Sequence, residues 1–297
     1  MTLEEYMREL VLMSRQYGQE EELYPLINML LRENDNVRHL SVRDVHQSQS
    51  SGIRHDMLYG YASFPDMAIL DERYQCSIEE SISKEKAEKR LDLIYGCIEA
   101  KNYLNSIYTF QEGHQHFNLK FQYRIRGKKN KKWIEIGELE DEIKKDFNNK
   151  CQVPNKKIER SIDAFLNNTE VKHQDLKQLF YELIWYGKVI YTNGKTWMYL
   201  ELKNPSRKDI IDIFSKNINE SMKICISISS IKIGDLTSIY ETVEEKMKTE
   251  QRISTSVVGQ YITYEDRQEW ERLKDNLARI NWCGTNTLNQ FRLKTEN

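Results

Sequence analysis

Two short segments constrain this chain more than any others: Phe64-Pro65-Asp66-Met67-Ala68-Ile69-Leu70 and Leu93-Ile94-Tyr95-Gly96-Cys97-Ile98-Glu99-Ala100-Lys101. Each reads as an apolar strand that carries charge where a buried strand ordinarily avoids it. Side chains two apart on a strand share a face, so Glu99 and Lys101 project together while Ala100 turns the other way. Asp66 opens the first run behind Pro65. If the two strands are neighbours, two carboxylates and one ammonium converge. Such a set suits a hard divalent metal with a cation beside it. The simpler alternative is a salt bridge of Lys101 with Glu99 or Asp66 at a sheet end.

Two further elements follow in order. Gln178-Leu179-Phe180-Tyr181-Glu182-Leu183-Ile184 has helical character, and Val189 to Leu200 reads as a strand, an Asn193-Gly194 turn and a strand. Taken together, Pro65-Asp66, Glu99-Ala100-Lys101, the helix and the hairpin resemble the PD-(D/E)XK nuclease superfamily, with the nuclease domain of type I restriction subunits nearest in flavour. The resemblance covers roughly residues 20 to 202. It implies an α/β fold with a restriction-endonuclease-like core, a central mixed sheet flanked by helices, here with a hairpin insertion and an α+β C-terminal extension.

The same resemblance implies a metal-dependent endonuclease that hydrolyses phosphodiester bonds in DNA, in restriction or defence against foreign DNA. Asp66, Glu99 and Lys101 would be catalytic. Mg²⁺ or Mn²⁺ would be held by Asp66, Glu99 and the backbone carbonyl of Ala100. Lys101 would orient the attacking water or offset transition-state charge, acting as a base only if burial and the metal lower its pKa. Gln178 would line the substrate face of its helix. Relatives often carry one more acidic residue on the opening helix, and among Glu20, Glu21 and Glu22 the expected one is Glu21. Acidic residues also simply favour the positive end of a helix. The alternatives to a DNA nuclease are an RNA-directed nuclease, or a catalytically weak or inactive module that keeps the fold to bind nucleic acid or protein. No Gly-x-x-x-x-Gly-Lys phosphate loop follows, so the likeness does not extend to an ATP-driven restriction subunit.

Composition sets the outer bounds. With 297 residues the chain can bury a full core. Charged residues make up 30% and the apolar set 39%, and no apolar run approaches the roughly 20 residues that span a bilayer. Met1-Thr2-Leu3-Glu4-Glu5-Tyr6 lacks the features of a signal peptide. The expectation is a soluble cytoplasmic protein with no membrane partner, acting alone, as a homodimer or with a partner subunit. The five cysteines are scattered and never spaced as Cys-x-x-Cys, which points to free thiols, with Cys97 a small core residue. His114 and His116 form a His-x-His with no further ligand nearby. A net charge of -2 argues against electrostatic coating of nucleic acid, although local charge decides phosphate contact more than the total does.

Along the chain, Glu20-Glu21-Glu22 runs into a helix whose Leu23, Leu26, Ile27, Leu30 and Leu31 recur at helical spacing. Gln47 to Gly52 reads as a loop, and Ile78 to Arg90 as a solvated helix or loop. Phe117 to Ile136 reads as a hairpin with a basic tip. In the functional reading Lys128, Lys129, Lys131 and Lys132 grip a phosphate backbone, beside Arg124, Arg126 and Trp133; in the plain one the turn is lysine-rich for solubility. The expected organisation is a nuclease-like domain over residues 1–204, with an insertion at about 104–170, and an extension over 205–297. The extension contains a strand at Ile224 to Ile228, a helix from about Leu236 to Lys248 and a helix across Tyr264 to Ile280 with Trp270 and Leu273 on one face. It would extend the sheet, form a dimer surface or contact substrate.

Overall fold

The computed structural model describes residues 1–16, 18–45, 65–74, 91–127, 133–135, 156–209 and 222–291. Gln47 to Gly52, Ile78 to Arg90, and Lys128, Lys129, Lys131 and Lys132 lie outside the described residues. Burial is nearly continuous along the central strands while alternate residues pack on opposite faces, which gives an α/β arrangement in which one mixed sheet is covered on both faces. Met67, Ile69, Ile98, Ile190, Trp197 and Tyr199 join one core cluster. Their strand neighbours Ala68, Leu70, Cys97, Val189, Tyr191, Met198 and Leu200 join the other.

The ten strands are β1 (Leu40–Asp44), β2 (Met67–Asp71), β3 (Ile94–Ala100), β4 (Gly113–Gly127), β5 (Trp133–Glu135), β6 (Lys156–Leu166), β7 (Thr169–Glu170), β8 (Lys188–Thr192), β9 (Thr196–Asn204) and β10 (Met222–Asp235). They run in the order β1-β2-β3-β8-β9-β10-β4-β6-β7, with β5 paired to β4. Among the described residues only β3 and β8 pair in parallel, with Glu99 opposite Tyr191; the other ladders are antiparallel.

Helices α1 (Leu3–Gln16) and α2 (Leu23–Arg32) cover one face together with α4 (Thr237–Met247) and α5 (Tyr264–Arg279). In α2 the five residues at helical spacing are all buried, each worth about 1.5–3 kcal/mol relative to exposure. Helix α3 (Leu176–Tyr186) covers the other face. It ends on Gly187, which adopts a left-handed conformation with φ 77°, the backbone state that glycine reaches without a Cβ penalty. The chain then enters β8 at once.

The Asn193-Gly194 turn forms as its residues dictate. Asn193 Oδ1 accepts the backbone N–H groups of Lys195 and Thr196 at 3.1 and 2.8 Å, closing the loop between β8 and β9. The segment after residue 204 extends the sheet: β10 lies between β9 and β4, so the hairpin insertion reaches the core strands through a C-terminal strand. Cys97 is a buried free thiol, and Cys225 and Cys283 are exposed free thiols. Both His114 and His116 are exposed on β4. Among the described residues no helix is long and apolar enough to cross a membrane.

Candidate active site

Strand pairing brings the charged ends of the two opening segments together. The β2–β3 register sets Met67 against Ile98, so Asp66, one residue before the strand, lies beside the end of β3. Its Oδ2 accepts the backbone N–H of Ala100 at 2.6 Å, and its Oδ1 accepts the Tyr24 hydroxyl from α2. Ala100 turns its methyl group to the opposite face. Glu99 therefore points toward α3, with Lys101 just past the strand on the same side. Lys101 Nζ forms an ion pair with Glu99 Oε1 and lies 3.4 Å from Gln178 Oε1.

A fourth group completes the set. Glu182 sits one helical turn after Gln178 and accepts its side-chain amide through Oε1 at 3.0 Å, as i, i+4 neighbours on one helix face do. Its carboxyl faces that of Glu99, close enough for the two to share a proton. Nothing marked Glu182 in the sequence beyond its being the one acidic residue of an otherwise apolar stretch. The signal becomes readable only once α3 proves to be buried on more than one side.

These groups are dry. Asp66 is 3% exposed and Glu99 and Glu182 are each 1% exposed. Burial raises the Glu99 carboxyl well above its ordinary range, with the charges of Glu182 and Asp66 adding to it and Lys101 opposing. Burial likewise raises Glu182, again with Asp66 adding and Lys101 and the Gln178 amide opposing. For Lys101 burial pulls downward, but Glu99, Glu182 and Glu20 outweigh it and its pKa is raised. Lys101 is thus held as an ammonium ion, a charge-offsetting group rather than a base in this state.

Of the acidic triplet, Glu20 turns toward the cluster. It is half-buried, burial and Asp66 raise its carboxyl, and Lys101 opposes that rise. Glu21, the residue expected from the sequence, is exposed. The triplet forms a single 3-10 turn, Glu20–Glu22, ahead of α2, where successive side chains point about 120° apart, and the charges of Glu20 and Glu21 both act on Tyr24.

Among the described residues no group of three or more His, Cys, Asp or Glu side chains forms a cage for a metal ion. A magnesium site does not require one, since Mg²⁺ keeps several waters and is usually held by one or two carboxylates. The fit can be judged on the oxygens. Glu99 Oε2 and Glu182 Oε2 are both buried with no hydrogen-bond partner. A shared proton serves this pair while it is bound; once it leaves, each buried acceptor costs about 1–3 kcal/mol, more when charged, and a hard cation at the pair would offset that cost. Comparison with protein-family models, curated proteins and solved structures finds no match to the chain.

Proposed function

We propose that this chain is a Mg²⁺- or Mn²⁺-dependent nuclease on a restriction-endonuclease-like core, hydrolysing phosphodiester bonds in DNA in preference to RNA, in restriction or defence. The observation that carries the reading is the convergence of Asp66, Glu99 and Lys101 in a water-poor pocket at one end of β3, with a carboxylate oxygen left unsatisfied. A bound divalent ion supplies a Lewis acid and an activated water near neutral pH. The protein's part is positional and electrostatic. Asp66 is locked by Tyr24 and the Ala100 amide, so its carboxylate is pre-oriented to hold the ion with Glu99 and the Ala100 carbonyl. Lys101, ion-paired to Glu99, carries positive charge to where charge develops on the phosphoryl oxygens. Gln178 ties Lys101 to α3 and so borders the substrate side.

The test is incubation of the purified full chain with plasmid, single-stranded DNA and matched RNA, in Mg²⁺, Mn²⁺ and EDTA. Cleavage that needs the metal and is lost in Asp66→Ala and Lys101→Met supports the reading. Equal, metal-independent behaviour of wild type and Asp66→Ala refutes it, and faster cutting of the RNA strand would transfer the assignment from DNA to RNA.

A further inference from the structure

We propose that Glu182 is a direct ligand of the divalent cation in this pocket, gripping the ion jointly with Glu99 through the buried Oε2 atoms that no other side chain occupies. The inference rests on the metal-dependent reading above and adds to it a residue from a different element, helix α3.

The case is built from what each oxygen already does. Glu99 Oε1 is committed to the Lys101 ammonium, and Glu182 Oε1 to the Gln178 amide. Each carboxyl is therefore anchored on one side, and the remaining oxygens, Glu99 Oε2 and Glu182 Oε2, are buried without a donor. Two such oxygens in an apolar interior repel one another unless a shared proton or a cation lies between them. Asp66 adds negative charge from the end of β2 and Glu20 from the turn before α2. Among the described residues Lys101 is the cation that opposes the rise of both carboxyls, so one ammonium stands beside the buried carboxyls of Asp66, Glu99 and Glu182.

The alternative is a packing role, and the helix argues against it. Besides Glu182, the buried residues of α3 are Leu176, Leu179, Phe180, Tyr181, Leu183, Ile184 and Tyr186, and an apolar side chain would serve packing there as well or better. A glutamate kept dry, held by an amide from its own helix and aimed at a second carboxylate has the donor chemistry of a hard-cation site. Gln178 is then a positioning residue, since it fixes the rotamer of Glu182 and touches Lys101 at the same time.

Calorimetric titration of the full chain with Mn²⁺ alone, without nucleic acid, tests this on wild type, Glu182→Gln and Asp66→Asn. Glu182→Gln is expected to loosen Mn²⁺ by tenfold or more, since even outer-sphere partners are worth about 10–100-fold. Melting in EDTA supplies the second readout. Glu182→Gln should melt at or above the wild type, because a buried charge is gone, and should lose the rise in melting temperature that Mn²⁺ gives the wild type. A lower melting temperature in EDTA with wild-type Mn²⁺ affinity means a packing role and overturns the proposal, as does a wild type that binds no Mn²⁺. If Glu182→Gln does not fold, Glu182→Asp keeps the charge and withdraws the oxygen by one methylene, and wild-type affinity there overturns the proposal equally. The two readings fail separately. Mn²⁺ binding through Glu182 without cleavage of any nucleic acid refutes the nuclease and leaves this site standing, whereas metal-dependent cleavage with unchanged Mn²⁺ affinity in Glu182→Gln does the reverse.

Discussion

In metal-free buffer the stability of this protein should fall as pH rises from about 4.5 toward 8, and Glu182→Gln should remove part of that fall. Burial first, then the charge of Asp66, moves Glu182 from 4.5 up to about 8, and Glu99 is raised in the same direction by burial, Glu182 and Asp66. Among the described residues the groups that act on this pair include Asp66, Lys101, Cys97, Tyr186, Tyr191 and the neutral Gln178. Between those two pH values the folded protein keeps a proton that the unfolded chain has released. Stability is then fully present below the unfolded pKa and is lost as pH climbs to the folded one. One proton changes stability by at most about 1.4 kcal/mol per pH unit, so a window of roughly three units gives a ceiling of about 4 kcal/mol. Guanidinium unfolding followed by circular dichroism at pH 5, 6, 7 and 8 in EDTA measures it. Titrating groups away from the site are common to both proteins and cancel in the wild-type minus variant difference, whereas Glu99, raised in part by Glu182, shifts with the substitution and is counted in that difference. That difference should be near zero at pH 5 and favour the variant by a few kcal/mol at pH 8. Saturating Mg²⁺ should flatten the wild-type profile, because a cation takes the place of the proton. A difference that stays flat from pH 5 to 8 would refute the account of the carboxylate pair.

Tyr24→Phe removes the hydroxyl that holds Asp66 Oδ1 while keeping the ring. It should loosen Mn²⁺ about tenfold with unchanged circular dichroism, and unchanged affinity would exclude Tyr24 as an orienting residue. Gly96→Ala places a Cβ 2.5 Å from Trp282 Cζ3 and 3.0 Å from the Lys188 carbonyl oxygen, so overpacking should cost about 1–3 kcal/mol, read as a lower denaturant midpoint. Lys188 Nζ donates to the carbonyls of Asn281 and Trp282 at 2.7 Å each and to that of Gly284. Lys188→Met strands these acceptors and should destabilise the chain by about 3 kcal/mol, and a wild-type midpoint in that variant would show the bonds to be dispensable.

What the sequence made legible were features with a local cause. The opening strands are continuous apolar runs with charge at their ends, the Asn193-Gly194 turn has the residues that its geometry demands, and the spacing in α2 matches its buried face. The feature that escaped was set by distant parts of the chain. Ile224 to Ile228 reads as a strand, but the strand runs from Met222 to Asp235, because Ser229 and Ser230 interrupt the apolar alternation and yet are buried between β9 and β4. Its two partners lie on either side of it in space and nowhere near each other in sequence. The phase of the Glu20–Glu22 turn is fixed by where α2 must dock, so Glu20 could not be told from Glu21. Glu182 was invisible for a related reason: a glutamate on a helix is ordinarily solvated, and only burial of α3 beyond a single stripe makes this one interior.

The position of Glu182 over Glu99 depends on a chain of constraints that ends far from the pocket. Gly187 stops α3 in a left-handed turn and feeds β8 directly, so the register of β8 on β3 and the height of α3 above the sheet are set together. That register puts Tyr191 opposite Glu99, and the Tyr191 hydroxyl reaches Asp175 Oδ2 at 3.1 Å, at the start of the same helix. The other end of β8 is pinned by Lys188 to the Asn281–Gly284 segment, whose Trp282 ring packs against Gly96 of β3. The C-terminal third thus clamps the one parallel pair of the sheet at the end opposite the carboxylates. Two apolar cores, one on each face, supply the burial that disfavours charge on these carboxyls, and the rigidity of this clamp holds Glu182 against Glu99 instead of letting it swing out to water. Loosening the clamp should therefore weaken cation binding even though no residue of it comes near the ion.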